Sequence, residues 1–206
     1  MTETIRPCLE EQSNMEKKLL ITIGRQFGSG GKAVADELGR RLGIPVYDSE
    51  LITEAARKSG ISEEFFHKRD EKRRALFIGM RSGMDDEVIF GIQSEVIRDI
   101  ASKGSAIFVG RASDYVLRDL DCVDVFISAP LEARVKRIME RQNLSASEAE
   151  DLIERKDRGR AEYYDFFTFS KWGVASNYDL CIDSSILGIS GTAELIIDFA
   201  KKRGLL

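Results

Sequence analysis

Gly28, Ser29, Gly30, Gly31 and Lys32 stand together in the stretch Gly24-Arg25-Gln26-Phe27-Gly28-Ser29-Gly30-Gly31-Lys32. Glycines leave a backbone bare, so its N–H groups can approach an anion closely, and they admit positive φ where a loop must curl. Ser29 adds a hydroxyl donor and Lys32 a full positive charge. This set of groups suits a phosphate. Further cations gather at Arg134, Lys136, Arg137, Arg141, Arg155, Lys156, Arg158 and Arg160, in a chain whose net charge is -4. Many of them belong on solvated helix faces, yet Arg134, Arg137 and Arg141 share one face. Arg155, Arg158 and Arg160 crowd the stretch before Tyr163-Tyr164. Such a local reversal of sign fits a polyphosphate held between two cationic surfaces. Arg111, in Gly110-Arg111-Ala112-Ser113-Asp114, has the planar fork that grips a phosphate or carboxylate at two points. A salt bridge to Asp114 or Asp48 is its structural alternative.

The elements that must position these groups are legible around them. Leu19-Leu20-Ile21-Thr22-Ile23 is a buried-strand pattern immediately before the loop. Val34, Leu38 and Leu42 recur at four-residue steps after it, and Gly43 and Pro45 close that helix. A strand, a glycine loop and a helix in this order aim backbone N–H groups and the positive helix end at one spot. The spacing departs from G-x-x-x-x-G-K-[ST]: counting back from Lys32, Gln26 holds the first glycine position, and Ala33 follows where Ser or Thr belongs. An ordinary tight strand-to-helix turn is the alternative. Further strands are expected at Pro45–Tyr47, Ser105–Val109, Val123–Ile127 and Leu180–Ile182. Helical patterns separate them: Val88, Ile92, Val96 and Ile100; a helix with Pro130 in its first turn; one opened by a Ser145/Glu148 capping box; and a last helix capped by Ser190 and running through Leu195 and Phe199. Short apolar strands alternating with helices predict an α/β fold, a doubly wound five-stranded parallel sheet covered on both faces. Ligands of such sheets sit beyond the carboxyl ends of the strands. Gly24-Arg25, Asp48, Gly110-Arg111, Ser128 and Asp183 fall there; Asp48 is equally placed to cap the following helix.

Bulk properties exclude several classes. With 206 residues and 43% hydrophobic content the chain suits one core, and its acidic balance gives no support to a nucleic acid polymer as partner. No apolar run approaches the ~20 residues of a membrane span, and the N-terminus lacks the apolar core of a signal peptide, so a cytoplasmic protein is expected. Cys8, Cys122 and Cys181 form no C-x-x-C pair, which argues against a disulfide framework or a zinc site; Cys122 and Cys181 are expected in the core. His67 is the sole histidine and is assigned a structural or surface role, which removes His-dependent triads. Residues 1–18 are polar and aperiodic and are expected to form a loose arm before a single domain over 19–206. Phe65, Phe66, Phe77, Ile78, Phe166, Phe167 and Trp172 suit core packing, with an acceptor pocket or a subunit contact as alternatives.

Taken together, the loop Gly24–Gly31, Tyr47-Asp48, Gly110-Arg111 with Asp114, Arg160-Ala161-Glu162-Tyr163-Tyr164 and Asn177-Tyr178-Asp179-Leu180 resemble the cytidylate kinase-like family of P-loop proteins. In cytidylate kinases proper the loop ends Gly-Ser-Gly-Lys-Gly-Thr, which sets Gly31 on their lysine and Lys32 one step later. The resemblance implies a P-loop kinase fold with a helical lid at about 141–172, ATP and Mg²⁺ as cofactors, and transfer of the γ-phosphoryl of ATP to a nucleoside monophosphate, CMP or dCMP by the family name alone. It implies that Gly28, Ser29, Gly30, Gly31 and Lys32 hold the donor and that Arg25 supplies the displaced charge. Asp48, Arg111 and Asp114 would face the acceptor, Arg155, Arg158 and Arg160 would close from the lid, and Ser29 would stand near the metal. Small nucleotides are then the partners. A kinase for another small acceptor and a nucleotide-binding module without efficient transfer are the alternatives.

Overall fold

Strand β1 (Leu20–Arg25) lies at the centre of the sheet because both its faces are apolar: Ile21 and Ile23 point to one side and Leu20 to the other, all buried. The computed structural model describes residues 18–58 and 83–206. Around β1 are arranged β2 (Val46–Tyr47), β3 (Ala106–Val109), β4 (Cys122–Ser128) and β5 (Leu180–Asp183), in the order β2-β3-β1-β4-β5. Every pairing is parallel, with Ile23 opposite Val109 on one side and Val125 on the other. The expected doubly wound α/β sheet is therefore present.

Helices cover both faces. Helix α1 (Gly31–Leu42) and the last helix, α7 (Ser184–Lys202), pack Val34, Leu38, Ala193 and Ile196 against Ile21, Ile107, Val125 and Ile127. On the opposite face α2 (Ser49–Lys58), α3 (Gly83–Lys103) and the short α4 (Ser113–Val116) bring Ile52, Ile92, Val96 and Val116 against Leu20, Phe108 and Cys122. The chain thus leaves β1 through a helix on one face and β3 through a helix on the other. Between two such strands a crevice opens at their carboxyl ends.

Two helices stand over that crevice as a hairpin. Helix α5 (Leu131–Gln142) ends at Asn143 in the left-handed region, and α6 (Ala146–Thr168) begins with the expected Ser145/Glu148 capping box. Ile138, Ala149 and Ile153 form a small core of their own, into which Phe27 of the glycine loop also packs. The loop and the hairpin are therefore one packed unit.

Some expectations are corrected. Pro130 precedes α5 as its N-cap residue, where its fixed φ is tolerated and its missing N–H costs nothing. The last helix starts at Ser184, capped by the Asp183 carboxylate accepting from the Ser185 N–H at 2.8 Å, and Gly188 breaks it with φ 65° before Ser190 is reached. Cys122 is buried but Cys181 is exposed, because β5 is an edge strand with a face left uncovered. Residues 1–17, including Cys8, and Phe65, Phe66, His67, Phe77 and Ile78 lie outside the described residues. No helix among the described residues is long and apolar enough to cross a membrane.

Candidate functional site

The loop between β1 and α1 is held by its carbonyls. Arg134 Nη1 donates to the Phe27 carbonyl at 3.4 Å, Arg137 Nη1 to that of Gly28 at 2.5 Å, and the Ser184 hydroxyl to that of Ser29. In a planar trans peptide the N–H points opposite to the C=O. Anchoring the Phe27 and Ser29 carbonyls to the protein body therefore turns the N–H groups of Gly28 and Gly30 away from it. Both of these glycines have the positive φ that this curl requires, 80° and 86°. Among the described residues the amides of Gly28, Gly30, Gly31, Lys32 and Ala33 have no acceptor, whereas Phe27 donates to Asp157 Oδ1 at 2.6 Å and Ser29 to the Gln26 carbonyl at 3.3 Å. Free N–H groups at a helix start are an anion site. They border a cavity of about 370 Å³ lined by Gly28, Gly30, Gly31, Lys32, Asp48 and Arg141, among others.

Arg25 lines this cavity and a second one. The second, about 470 Å³, is lined by Arg111, Asp114, Arg155, Tyr163, Trp172 and Tyr178; Arg25 and Arg160 belong to both. Arg25 passes between two glycines: a Cβ at Gly31 would lie 2.6 Å from Arg25 Cβ and 3.0 Å from its Cγ, and a Cβ at Gly110 would overlap Arg25 Nη1. Its guanidinium forms no ion pair or side-chain hydrogen bond with any described residue. Burial first, then the neighbouring Arg160 and Arg111 guanidinium groups, push its pKa down to about 9, against the attraction of Asp48 and Asp157.

Arg160 is better compensated. Its Nη1 donates to the Arg25 carbonyl at 3.1 Å, stands 3.7 Å from Asp157 Oδ1, and its guanidinium lies 5.4 Å from the centre of the Phe27 ring. Arg111 has φ 59° and a buried Nε without a hydrogen-bond partner among the described residues, and its guanidinium lies 5.5 Å from the Tyr163 ring centre. The ion pair with Asp114 or Asp48 is absent. Asp114 instead accepts from Tyr164 Oη at 2.6 Å, and burial outweighs that hydrogen bond and raises its pKa. Tyr178, whose buried hydroxyl meets no hydrogen-bond partner among the described residues, packs its ring close to Gly24.

Several sequence-based site residues are placed otherwise than expected. Ser29 is fully buried, 0% exposed, with its hydroxyl donating to the Gln26 carbonyl at 2.9 Å, and it does not line the loop cavity. Lys32 is at the loop cavity but paired with Asp36 at 2.5 Å and near Asp48 at 3.6 Å. Asp48 caps α2, accepting from the Glu50 and Leu51 N–H groups at 3.0 and 3.1 Å, and borders the loop cavity rather than the one that holds Arg111. Arg158 pairs with Glu154 at 2.6 Å in solvent, because two residues along a helix turn it by about 200° from Arg160. Arg155 does line the larger cavity. Arg134 and Arg137 are engaged by loop carbonyls, so of these three arginines Arg141 is the one that borders the loop cavity.

Asp157 escaped the sequence reading. Its carboxylate accepts from the Phe27 N–H and from Arg134 Nη1, both at 2.6 Å, and faces Arg160, so one acid ties the loop to both hairpin helices. The available signal was an acid three residues before Arg160 in a run of cations. Tyr163, Trp172 and Tyr178 gave no periodic signal, because they converge from α6 and the following loop.

A central parallel strand ending in an anion-binding glycine loop, beneath an arginine-bearing helical hairpin, is the architecture of P-loop kinases. Among solved structures the chain is similar to an uncharacterized protein from Eubacterium ventriosum, with a TM-score of 0.70, 29% identity and coverage of 89% of this chain and 99% of that one. The shikimate kinase of Acinetobacter baumannii shares the fold at a TM-score of 0.53 and 17% identity, covering 93% of this chain and 97% of its own. The model of the cytidylate kinase-like family matches residues 20–186, and the chain belongs to that family. Curated relatives include the cytidylate kinases of Pyrobaculum islandicum, 28% identical over 183 residues with 88% of this chain and 92% of the relative covered, and of Methanopyrus kandleri, 27% identical over 179 residues with 81% and 85% covered.

Proposed function

We propose that this protein transfers the γ-phosphoryl group of ATP to a nucleoside monophosphate, CMP or dCMP, in the cytoplasm. The observation that carries this reading is the convergence of Arg25, Arg111 and Arg160 between two adjoining cavities, one bordered by free loop amides and the other by aromatic rings. The Arg160 and Arg111 guanidinium groups lie close enough to Arg25 to lower its basicity, and such crowding calls for a polyanion between them. The triphosphate of ATP suits the amides of Gly28 and Gly30 to Ala33, with Lys32 and Arg141 beside it. The acceptor phosphate suits Arg111 and Arg155, and its planar base suits Tyr163, Trp172 and Tyr178. Mg²⁺ in such a centre shields phosphate charge and takes most of its ligands from phosphate oxygens and water. Asp48 and Glu50 are the acids on the loop cavity placed to hold that water. The relatives named cytidylate kinase support the choice of acceptor.

ADP formation from MgATP, measured with CMP, dCMP, UMP, AMP and GMP in turn, tests the reading. Turnover dependent on a pyrimidine monophosphate is expected. Turnover only with a different small acceptor transfers the site to another kinase reaction, and ATP binding by calorimetry without single-turnover product leaves a nucleotide-binding module.

A further inference from the structure

Lys32 and Arg160, two of the cations lining the loop cavity, are both answered by carboxylates, Lys32 by Asp36 and Asp48 and Arg160 by Asp157. Among the described residues Arg25 forms no ion pair or side-chain hydrogen bond, and it borders both cavities. We propose that Arg25 is the catalytic cation of this site, acting on the phosphoryl group in transit rather than on the bound donor, and that Gly31 is glycine because a side chain there would evict it. This rests on the phosphoryl-transfer reading above.

The reaction joins an acceptor phosphate oxygen to the γ-phosphorus and breaks the bond from that phosphorus to the β,γ-bridging oxygen. The bond's electron pair leaves on ADP, so no redox partner is required. Negative charge moves during this step from the loop cavity toward the aromatic cavity, and Arg25 lines both. A cation on the donor side alone binds ground state and transition state about equally and gains little rate. A cation at the crossing point gains strength as the charge arrives, and it is already oriented because its stem is wedged between residues 31 and 110. Arg25 is also largely withdrawn from water, which makes its field on a nearby oxygen stronger.

The slot makes the proposal unusually testable. Gly31 lies at the start of α1 without a positive φ, so alanine there suits the backbone, and the only obstacle to a methyl group is the Arg25 stem, with a Cβ 2.6 Å from Arg25 Cβ. In wild-type background Gly31→Ala is expected to lower kcat at least ~10-fold by displacing the guanidinium. In an Arg25→Gly background, which removes the Cβ as well as the guanidinium, the same change is expected to lower kcat by less than it does in wild type and to raise Tm, since the methyl group then meets no side chain of residue 25 and alanine is the better helix former. Arg25→Met keeps the stem and removes the charge. It is expected to lower kcat by ~10² to 10³, to leave the KM for ATP within about 3-fold, and to hold or raise Tm because a repulsive buried charge is gone.

The closing measurement is calorimetric binding of MgADP, with and without aluminium fluoride, in the presence of CMP. Wild type is expected to tighten markedly with aluminium fluoride, and Arg25→Met to bind MgADP normally but lose the tightening. If Arg25→Met loses MgADP affinity in step with kcat, or retains full kcat, or if Gly31→Ala is silent in wild type, Arg25 is not the transit cation although the kinase reading stands. If wild type neither binds MgADP nor turns over any monophosphate, the kinase reading itself falls and takes Arg25 with it.

Discussion

Arg111 is held in a left-handed backbone conformation with its Nε buried and unpartnered, so the fold gains little from its charge. For the proposed reaction, Arg111→Ala is therefore expected to leave Tm nearly unchanged while raising the KM for the monophosphate acceptor ~10- to 100-fold, the loss of one or two charge-assisted hydrogen bonds, and to leave the KM for ATP alone. Initial rates over a grid of both substrates check this; a proportional rise in both KM values would remove Arg111 from the acceptor side. Asp124 has a different role. Its carboxylate accepts from the Thr22 hydroxyl at 2.5 Å within the sheet, and its pKa is pushed up to about 6, chiefly by burial and then by the Asp114 and Asp179 carboxylates. A carboxyl that binds its proton more tightly when folded destabilises the protein as it ionises, so its penalty is absent below the unfolded pKa of ~4, grows as pH rises toward 6, and is complete above that. Asp124→Asn can still accept from Thr22 and cannot ionise. Urea denaturation at pH 4.5 and 7.5 is expected to show the variant more stable than wild type only at the higher pH.

At the scale of elements, the hairpin of α5 and α6 is joined to the loop by Asp157. Arg134 is only 9% exposed and depends on that carboxylate. Removing one member of a buried pair leaves an uncompensated charge, so Asp157→Ala is expected to cost ~3 kcal/mol, whereas replacing both, Arg134→Met with Asp157→Leu, is expected to recover much of that. Both changes free the Phe27 N–H, and both should weaken MgATP binding because the loop loses a point of attachment. Equal losses of stability in the single and double variants would show that the pair does not act as a unit.

The whole molecule carries a net charge of -4, yet its cleft gathers Arg25, Arg111, Arg155, Lys156 and Arg160. An anionic substrate is drawn by this local field and repelled by the remainder. The field near the mouth of the cleft is screened over a Debye length, ~10 Å at 0.1 M salt and ~3 Å at 1 M. Raising salt from about 0.05 to 0.5 M is expected to increase the KM for the monophosphate several-fold while kcat and Tm change little, since the apolar core does not depend on screening. A salt-independent KM would mean that recognition rests on the aromatic walls instead.

Local sequence signals determined a great deal here. Apolar runs too short for helices, four-step stripes, Gly43, Pro45 and the Ser145/Glu148 box each act over one turn or one strand, so the alternating elements, the parallel sheet and the loop glycines were legible before any coordinates. The start of the last helix was not, because Asp183 and Ser190 are both competent caps and the break at Gly188 lies between them. Only the tertiary structure decided which charges are engaged. Arg134 and Arg137 hold loop carbonyls, Arg158 faces solvent, Ser29 turns inward, and Asp157 joins residues more than a hundred positions apart in the chain. Charge is a property of a residue type, but whether it is free to meet a ligand depends on neighbours that arrive from other elements, and no local pattern encodes that meeting.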